Sequence, residues 1–424
     1  MILDLMAAAQ SGGFDVDAAT RVYLDTLQGA ARAKSDAYFE GGYWLILWGA
    51  LVGFVVDGLL LRFRLSARFR DVGERFFRRP FPIAWVTALL YTLVGWVLLL
   101  PWTIYTGFIR EKQYDLMSMG FGGWFGEQAT DLAIGLALQP LLIALIYLVI
   151  RKAPRRWWLW GTGVVVVFAA IGMLIAPVYI APLFNTYTEM PSGPLRDKIV
   201  AMAGNYDIPA DHIYVFDQSK QHKRISANVS GIGPTIRISL NDNLLNRTSE
   251  PEIMAVMAHE MGHYKLNHVW YLLGFVFVLF ASGLFIVSRL APMMIARWGS
   301  AWGVRDVADP ASMPVLGILL GAFFLLATPA FNTMVRVDES AADAFGLDAA
   351  RAPDGFARVA MRLSEYRKIE PGPVEEFLFF DHPSGATRVR MAMQWKKDHV
   401  PGATIEHPPA GYLGEDAGAI AKPE

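Results

Sequence analysis

The 424-residue chain contains no cysteine. Disulfides, iron–sulfur clusters and thiolate metal sites are thereby excluded, and any bound metal must be held by His, Asp or Glu. Charge is scarce as well: Asp, Glu, Lys and Arg together make up 18% of the residues, and the formal net charge is −1. That balance offers no basic surface for a nucleic-acid partner. A cleavable signal peptide is also missing by pattern, because MILDLMAAAQ carries Asp4 where a basic region belongs and its apolar run is short. No internal repeat is found.

Apolar residues are abundant. They make up 54% of the chain, above the roughly 45–50% of soluble domains. Segments 43–62, 83–108, 131–150, 158–181, 269–291 and 313–334 are each long enough to cross a bilayer, which takes about 20 residues. Trp44, Trp48, Trp157, Trp158, Trp270 and Tyr271 stand near their ends as an interfacial belt. The chain thus divides into 1–181 with four membrane helices, a polar insert 182–268, a helix pair 269–334, a helical polar block 335–400 and a tail 401–424. Within the insert a helix is expected at 195–205 and strands at 212–217 and 235–242; the Gly-, Ala- and Pro-rich tail reads as disordered. Loop 62–81 carries seven arginines, and loop 151–156 carries Arg151, Lys152, Arg155 and Arg156. Short basic loops favour the cytoplasm, which puts both polar blocks on the outer side.

The chemistry concentrates in MAHEMGHYKLNH, residues 257–268. Ser249 and Glu252 form a capping box, with Pro251 in the first turn, so a helix runs through the motif. His259 and His263 project from one face and can share a metal, and Glu260 is placed to take a proton from water beside it. Met261 and Gly262 fall on packing faces. A third ligand is sought in RVDESAAD, 336–343. Glu339 could complete the site, with Asp338 as competitor, and Asp343 could accept from the free nitrogen of a ligating histidine.

HEMGH, the R-x-x-E-x-x-A-D pattern at 336–343 and HPSGATR at 382–388 together resemble the CAAX prenyl protease (type I) family, as do LPWTIYTGF (100–108), 180–195 and 213–245 in order. The resemblance spans about residues 40–395. It implies a mainly α polytopic membrane protein with a gluzincin-like α+β metallopeptidase domain, its helices bordering a water-filled chamber. It implies one Zn2+ held by His259, His263 and Glu339, with Glu260 as base and Asp343 behind the ligands. It places His382 and Arg388 over the cleft, where a cation can hold a carbonyl or an oxyanion. It assigns Ser226, Ala227 and Asn228 to the strand that binds substrate.

Three departures stand out. The family's eukaryotic members have seven membrane helices, whereas six are counted here. Ser226 occupies the position of that strand's usual Asn, and Asn228 that of its aromatic residue, which leaves main-chain pairing intact. The eukaryotic site faces the cytosol, opposite to the side the loop charges indicate.

Among the remaining residues, Asp57 is expected to pair with Arg62 or Arg64, Pro140 to kink the third helix, and His268 to hydrogen-bond at the interface. Asn185 and Tyr187 are expected to fix the chain's exit from the membrane, and His222, Lys223 and Arg224 to form a solvated loop. The resulting expectation is an integral-membrane zinc metalloendopeptidase acting on C-terminal or membrane-proximal segments of proteins or peptides. The compact form suggests a bacterial inner membrane. The alternative is a transporter or channel with a structural zinc, although paired broken helices are not evident. Nothing in the sequence speaks to oligomeric state.

Overall fold

Long apolar runs can enter a bilayer only with every backbone group bonded internally, and the helix achieves this within one segment. In the computed structural model, which describes residues 13–231, 235–409 and 412–413, six such helices form: Gly29–Arg62, Pro80–Gln113, Phe121–Lys152, Trp157–Leu183, His268–Trp302 and Pro310–Ala350. The second and fourth each carry a π-helical turn, at Tyr105–Ile109 and Ala176–Ile180, close after or around a proline. The third runs unbroken through Pro140.

Several helices extend beyond the apolar windows. The first begins at Gly29 because its polar opening turns bind the C-terminal block: Arg32 pairs with Glu370 at 2.8 Å, and Ser35 Oγ donates to the Ser364 carbonyl at 2.6 Å. The sixth continues from Met313 to Ala350, so the membrane segment and the turns bearing Glu339 and Asp343 are one rod. Asp57 meets neither Arg62 nor Arg64. It is buried against the bundle and accepts from the Tyr91 hydroxyl at 2.7 Å, whereas Arg64 donates to the carbonyls of Ala301 and Ser300.

The insert holds a four-stranded sheet: β1 (Tyr187–Glu189), β2 (Ile213–Phe216), β3 (Ala227–Ser230) and β4 (Arg237–Asn241), in spatial order β1-β2-β4-β3. β2 and β4 are parallel; β3 pairs antiparallel with β4 and forms an edge. The expected insert helix is Pro194–Gly204. Ile199, Ile213, Ile238 and Leu240 pack with Met257 and Met261 of the motif helix, Glu250–Lys265, into one buried cluster. Asn185 Nδ2 donates to Asp217 Oδ1 at 3.3 Å, and Tyr187 stacks on Phe216, so the membrane exit is fastened to β2.

Two loop expectations change. Segment 222–224 is half-buried and fastened rather than a free loop: Arg224 pairs with Glu111 at 2.7 Å, and His222 Nδ1 accepts the Arg224 N–H at 3.2 Å. Within the tail read as disordered, Tyr412 is buried and donates to Glu252 Oε1 at 2.7 Å. Composition cannot see a single phenol that finds a buried carboxylate. The rest of that tail from 414, along with residues 410–411, lies outside the described residues. So do residues 1–12, where the signal-peptide reading falls.

Candidate metal centre and cleft

The motif helix starts where the sequence places it. Glu252 Oε2 accepts the Ser249 N–H at 2.9 Å and its hydroxyl at 2.5 Å, closing the capping box. The other carboxylate oxygen of Glu252 accepts from Arg362 Nε at 2.7 Å in a fully buried pair. The first turn is therefore tied to both the C-terminal block and Tyr412.

His259 and His263 are four positions apart, just over one helical turn, and their Nε2 atoms stand 3.1 Å apart. The sixth membrane helix crosses the motif helix closely enough to add a third group: Glu339 Oε2 lies 3.3 Å from His259 Nε2, and Oε1 lies 3.3 Å from His263 Nε2. Glycine permits this approach. A Cβ on Gly262 would meet Ala342 Cα and O at 3.2 Å, and one on Gly346 would meet His259 N at 3.1 Å. The packing expected of Met261 and Gly262 is what the helices show. His259, His263 and Glu339 form the group able to hold a metal ion among the described residues, and Asp338 is not part of it.

Around these three, further partners hold the rings. Asp343, fully buried, places Oδ1 2.8 Å from His259 Nδ1 and forms an ion pair with Arg388. His263 Nδ1 lies 2.9 Å from His268 Nδ1, so His268 serves the site rather than the membrane interface. His382 Nε2 is 3.4 Å from Glu339 Oε2, and its Nδ1 is 2.8 Å from Asp381 Oδ1. Burial raises the Asp381 carboxyl, but the contact with His382 outweighs it and leaves Asp381 below the ordinary range. Burial also lifts the Glu260 carboxyl above the usual Glu value, against the lowering pull of His259 and His263.

A cavity of about 240 Å³ joins these groups. Ser226 and Ala227 at the head of β3 line it together with His259, Glu260, Glu339 and His382; Asn228 does not. Arg388 reaches the same cavity, but its guanidinium is committed to Asp343, and its Nε has no partner among the described residues. Tyr366 and Arg367 complete the wall. No spacing rule points to them, since they sit about a hundred residues from the motif and arrive only through packing.

An edge strand beside a converging His-His-Glu set and a neighbouring carboxylate, with Glu339 delivered by a membrane helix and the motif helix directly preceding another, defines a polytopic membrane metallopeptidase. The family model described as Peptidase family M48 matches residues 190–396, and that described as CAAX prenyl protease N-terminal, five membrane helices, matches 21–186. The CAAX prenyl protease 1 homolog of Oryza sativa subsp. japonica is 31% identical over 298 residues, covering 67% of each chain. An uncharacterized metalloprotease, YhfN, of Bacillus subtilis is 26% identical over 360 residues, covering 84% of this chain and 82% of its own. The crystal structure of S. mikatae Ste24p superposes with a TM-score of 0.72 at 20% identity, over 87% of this chain and 90% of that one. The chain belongs to peptidase family M48 and is an integral-membrane metalloendopeptidase. Among the described residues, four long apolar helices lie within 21–186, where the matching family model is described with five.

Proposed function

We propose that this protein is a zinc endopeptidase whose ion is held by His259, His263 and Glu339. The observation that carries the assignment is a distance. Zn–N and Zn–O bonds of about 2.0–2.1 Å in a tetrahedron set donor atoms about 3.3 Å apart, and the three separations here are 3.1, 3.3 and 3.3 Å. When bound, zinc supplies Lewis acidity to a carbonyl and lowers the pKa of water.

The chain's own groups do the rest. Glu260 takes a proton from the attacking water and delivers it to the leaving amine, a task suited to a carboxyl raised by its surroundings. Asp343 fixes the tautomer and tilt of His259, and Arg388 holds Asp343 ionised. His382, anchored by Asp381, faces the reacting carbonyl. The edge strand β3 follows Ser226, whose own N–H and carbonyl are taken by Asn241; from Ala227 onward it pairs with the peptide by main-chain hydrogen bonds and places its carbonyl at the cavity. Substrates are C-terminal or membrane-proximal segments of proteins or peptides, in keeping with relatives named CAAX prenyl proteases. The location proposed is a bacterial cell membrane.

The test uses detergent-purified protein and Glu260→Gln. Unchanged zinc content with loss of cleavage supports the assignment, whereas equal cleavage by both proteins refutes the role of Glu260. Glu339→Ala is expected to lose zinc; full occupancy would move the third ligand elsewhere. Matched peptides with and without a prenyl group decide the substrate class. A transporter with a structural zinc needs neither a carboxylate beside the ion nor an edge strand along it.

A further inference from the structure

The fifth membrane helix begins at His268, next to the His259–His263–Glu339 group, and the sixth ends past Glu339, so the other ends of both lie at the opposite face of the bundle. There a cavity of about 1040 Å³ opens between the starts of the second and fourth membrane helices, the end of the third and the loop joining the fifth to the sixth. Arg79, Arg151 and Lys152 stand on its rim; Phe81, Leu148 and Trp157 form its apolar wall. Arg151 donates to the Ala308 carbonyl at 2.9 Å. The side chains of Arg79 and Lys152 make no hydrogen bond or ion pair among the described residues. One acid, Asp306, also lines the cavity and accepts the Asp309 N–H at 2.8 Å, so three cations against one anion leave the lining at +2.

The neighbouring surface fits a bilayer edge. Helix Leu65–Phe76 follows the first membrane helix and leaves Phe63, Phe76 and Phe77 exposed, Phe76 to 71%, among Arg68, Arg75 and Arg78. Aromatic rings alternating with arginines are the composition of a segment lying at the headgroup level. Unpaired cations beside an apolar wall, both at the level where membrane helices end, meet the two halves of one molecule: a phosphate and an acyl chain. We infer that this cavity binds an anionic phospholipid, with the headgroup phosphate among Arg79, Arg151 and Lys152 and an acyl chain along Phe81, Leu148 and Trp157. Soluble phosphate would satisfy the cations but leave the apolar wall without an occupant. The Asp306 carboxylate accepts from headgroup hydroxyls, which makes phosphatidylglycerol the probe of choice.

The test is thermal unfolding of the full chain in detergent, titrated with phosphatidylglycerol, phosphatidylcholine or inorganic phosphate. Phosphatidylglycerol alone should raise the melting temperature in a saturable manner. R79Q/K152Q removes the two cations that hold no protein partner. Its melting temperature without lipid and its peptidase activity should stay at the wild-type level, while its phosphatidylglycerol affinity falls roughly 30-fold, about fivefold per cation. R79K/K152R, which keeps the charge, should retain binding. Wild-type affinity in R79Q/K152Q, an equal shift with phosphatidylcholine, or an equal shift with inorganic phosphate would each overturn the assignment.

Discussion

Gly346→Ala tests whether the close crossing of the motif helix and the sixth membrane helix sets the metal geometry. The added methyl would sit 3.1 Å from His259 N and 3.2 Å from its Cα, both backbone atoms that cannot swing away. Relief to an ordinary contact of about 3.7 Å requires the helices to part by roughly half an ångström, and overpacking of this kind costs about 1–3 kcal/mol. His259 and Glu339 lie on opposite sides of that crossing. The strain therefore appears mainly in the state that draws the three ligands together, weakening metal retention by about 5–150-fold. The assay is competition for the metal by a chelator, with thermal unfolding in parallel. Gly274→Ala, where a Cβ meets nothing within 4 Å, is the control and should bind like wild type. Wild-type metal affinity and melting temperature in Gly346→Ala would refute the reasoning.

Removing one partner of the buried Glu252–Arg362 pair, as in Arg362→Met, should cost about 3–5 kcal/mol, read as a lowered melting temperature; the remaining Tyr412 hydroxyl holds the loss near the lower figure. Asp343→Asn should weaken metal binding by about 10–100-fold in the same chelator assay while the protein stays folded. His222 gives a pH signature. Burial, reinforced by the Arg224 charge, pushes its pKa from 6.5 down to about 4. Between those values the unfolded chain binds more protons than the folded one, so stability falls as the pH drops from 6.5 toward 4, by about 1–2 kcal/mol after solvent screening. His222→Gln should flatten that limb of the stability curve; an unchanged limb would remove His222 from the account.

Six membrane helices, the capped motif helix and the Glu339 partnership were legible because each rests on local information: run length, a cap three residues from its acid, or a fixed spacing on one face. The contact of His268 with the site and the Asp343 partner of Arg388 are not legible for the opposite reason. His268 meets His263 because the chain breaks helix at Asn267, in the left-handed region, before restarting. Arg388 pairs with Asp343 across 45 residues. Tyr412 and Tyr366 carry no periodic signal and acquire their roles only when the C-terminal block folds over the motif helix. The strand holding Ser226 and Asn228 does lie at the edge of the sheet, as an order β1-β2-β4-β3 requires, whatever side chains stand at those two positions.

The sixth membrane helix is a single rod of 38 residues, about 57 Å long. From Met313 to Glu339 it runs about 40 Å, so a tilt of only about 1.5° about its start would displace the carboxylate by about 1 Å. Helices answer changes in hydrocarbon thickness by tilting. A tilt of that helix would therefore be felt at Glu339 and Asp343, where the glycine-lined crossing and the Asp343–Arg388 pair hold the sixth membrane helix against the motif helix and the C-terminal block.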